Sequence, residues 1–397
     1  MNYRPKKEDS HKSNVFYLGM VSLFTDLSSQ MIYPLVPEFL ISLGANKLII
    51  GVIEGIAESI AALLRSVFGK WSDKIRKRKI FIFLGYGFSA ISKPFLYIAG
   101  HWITVFAVKL ADRTGKAMRT PSRDALISSS VSTAKKGQAF GFHRAMDRLG
   151  AVGGPLLALL ILSQFEGNIR LVFLLSAVPA LLALIFILFT KEKSIKNIKD
   201  SALREESVLK NGPLIAFIMA NVLFALGNSS NAFLILKARE SGLSIALIPV
   251  IWMVYNIFCT ISSPIFGTLS DKIGRKPIIA ISFLYYSFLY FLFGISNELL
   301  IIWILFAAYG IYYGLSEGIY RAYISDLVPE EKRGTAYGIF NTAIGLALFP
   351  ASLIMGALWD QYGSQVAFHI AALFSLIGFL IFMITSKLMK PLKALIK

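Results

Sequence analysis

Along this chain, stretches of about twenty apolar residues alternate with short polar segments, a pattern that fits neither a half-buried strand nor a helix with one wet face. Runs such as Leu171 to Thr190 and Ile278 to Ile295 are apolar on every side, whereas a soluble helix keeps a polar stripe. A helix needs roughly 20 such residues to cross about 30 Å of hydrocarbon. The pattern predicts spans near residues 15–43, 48–69, 80–100, 102–130, 138–163 and 168–190, then 213–238, 244–268, 277–296, 298–328, 334–358 and 365–387. The expected fold is an all-α membrane protein with about twelve transmembrane helices by the length rule. Residues 1–190 are expected to form one six-helix bundle, 191–212 a cytoplasmic linker and 213–397 a second, pseudo-symmetric six-helix bundle.

A repeated loop supports the division into halves. Gly69-Lys70-Trp71-Ser72-Asp73-Lys74 returns as Gly267-Thr268-Leu269-Ser270-Asp271-Lys272, 198 residues later, and each copy joins two apolar stretches and ends in a basic cluster. Lys136-Gly137-Gln138-Ala139-Phe140-Gly141 returns as Arg333-Gly334-Thr335-Ala336-Tyr337-Gly338 at an offset of 197. Parallel halves of this kind, with a site near mid-membrane, are an architecture of secondary transporters.

The net charge of +18 raises nucleic-acid binding as a possibility, and the location of the charge decides against it. Lysine and arginine collect in the opening segment (Arg4, Lys6, Lys7, Lys12), the repeated loops (Lys74, Arg76, Lys77, Arg78, Lys79; Lys272, Arg275, Lys276), Lys135 and Lys136, the linker, Lys332 and Arg333, and the tail. These are alternate loops, and the intervening ones carry almost none. That is the positive-inside distribution, with both termini cytoplasmic and the chain in the cytoplasmic (inner) membrane. The basic opening runs into a full-length span without a cleavage pattern, so the first span is expected to stay in the protein. Cys259, the one cysteine, permits neither a disulfide framework nor a cysteine-based metal site. No GxxxxGK[ST] loop occurs, which argues against ATP drive. Four scattered histidines give no clustered nucleophile or metal set, so no enzyme, no metal and no cofactor are expected.

The loops resemble the signature of the major facilitator superfamily: a glycine, an aspartate four residues on, then basic residues. The first copy matches at Gly69, Asp73, Lys74, Lys77 and Arg78, the second at Gly267, Asp271, Lys272, Gly274, Arg275 and Lys276, with Arg76 standing where the second copy has Gly274. The resemblance covers nearly the whole chain and implies that these loops gate the cytoplasmic side. In the amino half, Asp26 to Pro34, Asp112-Arg113-Thr114-Gly115-Lys116 with Arg119, Pro121, Arg123 and Asp124, and Gly141 to Asp147 are similar to a bacterial branch of permeases of unassigned substrate. In that branch a glutamate is usual where this chain has Gln30, and an arginine where it has Lys93. Arg113 also stands where the superfamily often has a fourth-span arginine, and Gly150 to Pro155 resembles a fifth-span antiporter motif.

Read as chemistry, Arg113, Lys116, Arg119 and Arg123 recur at helical spacing and share one face. A charge at mid-bilayer costs roughly 2.5 to 3.5 kcal/mol, so this face avoids lipid. It forms either an anion-attracting cavity wall or a salt-bridged stripe, and Arg119 and Arg123 are expected to snorkel towards the cytoplasm. His143, Arg144 and Asp147 on the fifth span form either a coupling group or a permanent brace. Asp26 and Glu58 are the other expected proton carriers, whereas Glu54 is expected near the outer headgroups, solvated. The carboxyl half offers amides and aromatics instead: Asn228, Asn231, Asn256, Tyr309, Tyr312, Tyr313, Tyr320 and Asn341. Glu317 and Arg321 are spaced to pair within one helix, and Gly310, Gly314 and Gly318 present a small-residue face.

The expected function is a monomeric, proton-coupled secondary transporter working by alternating access. Its substrate cavity would use Gln30, Arg113, Lys116, Asn228, Asn231, Asn256 and Tyr313, and the solute would be an organic anion or other small metabolite. The alternatives are export of amphipathic drugs, or a lipid-handling or signalling role on the same scaffold.

Overall fold

The computed structural model of the chain describes residues 9–75, 77–132, 135–192, 208 and 210–388. Among the described residues all regular structure is helical. The amino half holds α1 (Asp9–Ile32), α2 (Val36–Ser42), α3 (Lys47–Ile75), α4 (Arg78–Ser92), a 3-10 turn at Lys93–Leu96, α5 (Trp102–Ser130), α6 (Lys136–Gln164), α7 (Ile169–Leu175) and α8 (Ala177–Leu188). The carboxyl half holds α9 (Gly212–Gly227), α10 (Ala232–Glu240), α11 (Ile248–Ile273), α12 (Arg275–Ile295), α13 (Leu299–Leu327) and α14 (Arg333–Leu388). Most of the 191–212 linker lies outside the described residues.

Among the described residues, eight stretches are long and apolar enough to cross a bilayer: Ser13–Ser42, Lys136–Gln164, Ile169–Leu188, Gly212–Glu240, Ile245–Ile273, Arg275–Ile295, Leu299–Leu327 and Arg333–Lys387. The last runs for 55 residues, the length of two crossings, and turns at Gly363, where φ is 85°. α3 and α5 do not reach that apolarity because each carries ionisable residues along its length, among them Glu54, Glu58 and Arg65 on α3 and Asp112, Arg113 and Lys116 on α5. α4 is only 15 residues long.

The helices gather into two compact units, one comprising Met1–Gly44, Leu63–Ile198 and Ile245–Met253, the other Ala45–Ala62, Lys199–Ser244 and Val254–Lys397. In the first unit the main seam joins α1 and α6. A Cβ added at Gly150 would lie 2.6 Å from the Leu23 carbonyl oxygen, and one at Gly154 2.6 Å from that of Leu27, so the two backbones touch only because these positions are glycine. Leu18, Val21, Ile82, Tyr86, Leu126 and Ile187 close an apolar core beside that seam.

In the second unit the first half of α3 is fastened to α14. The Asp360 carboxylate accepts from the backbone N–H of Lys47 (3.1 Å) and Leu48 (2.8 Å), satisfying donors that a helix start leaves open. Ser59 donates to the Gly345 carbonyl at 2.6 Å. α9 and α10 are separated by a break at residues 228–231, which is tolerated in a membrane only where other groups take up the freed backbone. Tyr286 donates to the Gly227 carbonyl at 3.0 Å, and the Ser230 hydroxyl accepts from Ala232 N–H at 3.2 Å. Gly310 and Gly314 do lie against α11, at the Tyr255 carbonyl and Ser262, while a Cβ at Gly318 would meet nothing within 4 Å.

The α1–α6 seam makes a direct prediction. Gly154→Val forces the seam apart and should lower stability by about 1–3 kcal/mol, whereas Gly141→Ala, with open space around it, should be neutral or stabilising. Melting temperatures of the two variants in detergent check this.

Candidate functional site

The chemistry of the first unit is concentrated where α1, α4, α5 and α6 meet. α5 is one continuous helix through Pro121, so Arg113, Lys116, Arg119 and Arg123 do occupy neighbouring turns of a single element. α4 ends at Ser92 because Pro94 follows, and the chain tightens into the 3-10 turn. That junction carries Lys93, whose Nζ donates to the Ser28 hydroxyl at 2.6 Å and the Ser29 hydroxyl at 3.1 Å. Ser28 in turn donates to the Ser176 carbonyl at 2.6 Å. Lys93 is 3% exposed.

Arg119 is held just as closely. It donates to the Ser89 hydroxyl at 2.5 Å and the Gly85 carbonyl at 3.4 Å, and its guanidinium lies 4.5 Å over the Tyr86 ring. The expected snorkelling of Arg119 is therefore wrong: at 6% exposure it is sealed inside the unit, because Ser89 and the π-face of Tyr86 offer it partners there. Arg123 makes a 2.9 Å pair with Asp124. Asp26 lies within electrostatic reach of Lys116, Arg119, Arg123 and Lys93, and Asp112 within reach of Arg113, Lys93 and Arg119.

On α6, the Asp147 carboxylate meets His143 Nδ1 at 3.4 Å and accepts from the Ser22 hydroxyl of α1. Asp26, Arg123, Arg144 and Asp124 act on it electrostatically. His143 is buried, and its Nε2 has no hydrogen-bond partner among the described residues. The Gln30 side-chain oxygen accepts from Trp252 Nε1 at 2.7 Å, within the same unit.

The second unit holds the amides and aromatics. Tyr309 donates to Asn231 Oδ1 at 2.7 Å, Tyr286 to Asn228 Oδ1 at 3.2 Å, and Asn256 is buried. Tyr313 packs edge-on against Tyr255, with ring centres 5.8 Å apart. Glu54 corrects the sequence expectation: it is 2% exposed, not solvated, and accepts from the Ser230 hydroxyl at 2.9 Å. Burial follows from the packing of the first half of α3 on α14, beside the break between α9 and α10. Glu58 is half-buried one turn further along α3. Glu317 and Arg321 pair at 3.6 Å, as their spacing implies.

The repeated loops resolve into ion pairs between successive helices. Asp73 of α3 meets Arg78 of α4 at 3.2 Å. Arg275 of α12 meets Asp271 of α11 at 2.5 Å and Asp326 of α13 at 3.5 Å. Gly274 has φ +95°, a conformation that requires glycine; Arg76, its counterpart, lies outside the described residues. Gly69 approaches Pro121 at ordinary contact distance, while Gly267 has open space, so the second glycine is not there for close packing. Lys74, Lys77 and Lys272 are exposed, and Lys276 donates to the Ser386 carbonyl at 2.9 Å.

Sequence reasoning missed three functional candidates: Lys93, Arg119 as a buried group, and Glu54. For Lys93 the signal was present, a lone lysine inside an apolar run immediately before a proline.

Known proteins place this geometry in a family. The family model described as Major Facilitator Superfamily matches residues 18–236 and 215–396. An uncharacterized MFS-type transporter of Methanocaldococcus jannaschii is 40% identical over 371 residues, covering 89% of this chain and 92% of that protein. A multidrug resistance protein of Proteus mirabilis is 26% identical over 293 residues, covering 70% and 72%. The crystal structure of a bacterial homolog of the human lysosomal transporter Spinster, inward-facing and unoccupied, superposes with a TM-score of 0.78 at 15% identity, over 97% of this chain and 98% of that one.

A buried cation bonded to hydroxyls carries a desolvation cost that carboxylates acting from a distance, here Asp112 and Asp26, offset only in part. Lys93→Met should therefore raise the stability of the ligand-free protein by about 1–2 kcal/mol. A rise in melting temperature without added solutes is the expected result, and a fall would mean that the Ser28 and Ser29 bonds outweigh the charge burial.

Proposed function

Because the chain belongs to the major facilitator superfamily, we propose that it is a proton-coupled secondary transporter of a small organic anion, working by alternating access. The observation that carries the anion assignment is the row of basic side chains on one face of α5, with Lys93 added from the 3-10 turn that follows α4. Cations in a low-dielectric setting attract anions far more strongly than the same cations in water. Twelve crossings, with both termini in the cytoplasm of a cell whose inner membrane the protein spans, follow from the distribution of basic loops. The protein acts as a monomer with no cofactor and no catalytic chemistry of its own.

Coupling is assigned to the carboxylates beside that row. Asp147, held by Ser22 and His143, exchanges these partners for a proton as the transporter changes state, and Asp26 adds a second acid to the same electrostatic group. Glu58 is the coupling candidate of the second unit. The pairs Asp73 with Arg78 and Arg275 with Asp271 and Asp326 act as cytoplasmic latches that re-form in each cycle. Export of amphipathic drugs is the alternative, and the observations on its side are the relative named for multidrug resistance and the tyrosine-rich second unit.

Flux in proteoliposomes tests the coupling. A pH gradient should drive accumulation of labelled organic anion, and Asp147→Asn should abolish gradient-driven accumulation while leaving anion exchange at equal pH. Accumulation that survives Asp147→Asn, Asp26→Asn and Glu58→Gln alike would remove proton coupling through these acids. Gradient-driven movement of cationic drugs with no anion flux would favour the exporter.

A further inference from the structure

Resting on the twelve crossings proposed above, in which α4 and α5 both span the membrane, the space between these two helices gains a role. The backbones of α4 and α5 touch at one place: a Cβ added at Gly85 would lie 2.6 Å from the Gly115 carbonyl oxygen, so the contact depends on glycine. Beside and beyond it, towards the loop at 97–101, the helices leave a groove of about 480 Å³. Gly87, Ala107 and Ala111 contribute little bulk to its lining, whereas Phe83, Phe88, Ile91 and Phe95 are its large residues. Gly87 is buried, yet a Cβ placed on it would meet nothing within 4 Å. The four large side chains are exposed, so the groove opens outwards, away from the charged cluster of the first unit.

In a bilayer the groove opens onto hydrocarbon. Its α4 side runs from Phe83 to Phe95, about 18 Å at 1.5 Å per residue, and one leaflet supplies about half of a 30 Å hydrocarbon layer. Tyr97 and Trp102 stand at its loop end, and these residue types mark the membrane interface. A site for a polar solute offers a few convergent polar groups, and this groove does not. The Ser92 hydroxyl donates to the Ser89 carbonyl at 3.2 Å, and Thr104, the other hydroxyl residue of the lining, is two residues from Trp102 at the interface end. We propose that the groove holds one hydrocarbon chain of a membrane lipid, with its headgroup near Tyr97 and Trp102 and its far end near the contact of Gly85 with Gly115. The chain fills the gap between α4 and α5 and braces the helix pair on which Arg119 is held by Gly85 and Ser89.

The test uses the full-length protein in liposomes doped with phosphatidylcholine that carries a photoactivatable diazirine in one acyl chain. Its zwitterionic headgroup gives the basic loops no special hold on it. After illumination, labelled peptides are mapped by mass spectrometry. Label on Phe83 to Phe95 and Thr104 to Ala111 should exceed that on the exposed α12 residues Ile281, Leu284 and Phe288 by about fivefold or more, a preference of about 1 kcal/mol. Ala107→Phe places a ring in the groove and should bring its label down to the α12 level without changing α12. Equal label on both faces of the wild type would overturn the proposal, since lipid would then pass the groove as it passes any apolar face. Enrichment that survives in folded Ala107→Phe would overturn it too. Loss of the groove label alone on adding tetraphenylphosphonium would give the groove to an amphipathic cation, and loss that follows protein density would give it to a second copy; either result overturns the lipid assignment. Label on α12 with none anywhere on α4 or α5 would remove those two crossings, and the occupant with them, whereas every other outcome leaves the crossings standing. Should Ala107→Phe fail to fold, the wild-type distribution still decides.

Discussion

The constraint on which the rest of this structure depends is positive charge held inside a low-dielectric bundle, where buried hydroxyls, an aromatic ring and the Asp26 and Asp112 carboxylates must offset it. Transfer of an ion out of water carries a penalty of several kcal/mol, which an ion pair offsets only when its geometry is good. Most basic residues here avoid the problem by lying in loops or by pairing. Lys93 and Arg119 do neither. They are fixed by hydroxyls and by an aromatic face, and Asp112 and Asp26 act on both through space.

The backbone packing explains how such a pair is held. Glycine at 150 and 154 lets α6 lie directly on α1, which fixes Ser28 and Ser29 opposite the α4 junction. Pro94 ends α4 there, so Lys93 sits at a bend and not along a straight helix. On the other side of the cluster, Ser22 and His143 engage Asp147, bringing a titratable carboxylate into the same electrostatic group as the α5 cations. In the proposed function, binding of an anion and protonation of that carboxylate are linked through space, since each changes the potential felt by the other. The second unit also buries a cation, Lys237, which donates to Asn297 Oδ1 and the Ser364 hydroxyl and pairs with Glu240 at 3.9 Å. Its tyrosines and amides satisfy one another around the break between α9 and α10, and the Glu54 carboxylate is joined to that break through Ser230.

Much of the architecture was legible in the amino-acid sequence, since the length of an apolar run is set by the bilayer and the duplicated loops are local patterns. The family was legible for the same reason, through Gly69, Asp73 and Gly267, Asp271. The site was legible only in part. Spacing on α5 put four cations on one face, yet spacing could not say which of them would find a carboxylate on another helix, and Arg119 was misjudged because Ser89 and Tyr86 lie 30 or more residues away. Glu54 was misjudged for a related reason: its burial comes from α14, whose contacting residues are about 290 positions later. Pairing across helices depends on which faces meet, and single-helix periodicity does not contain that information.

The account's central claim is that the basic row of α5, with Lys93 beside it, receives an anion, and the most direct measurement is a crystal structure of the protein soaked with selenate, a divalent anion whose selenium can be located by anomalous scattering. The account predicts an anomalous peak within hydrogen-bond distance of a basic side chain of that row. Selenate bound only at the exposed lysines of the loops, with no peak at the row, would contradict it.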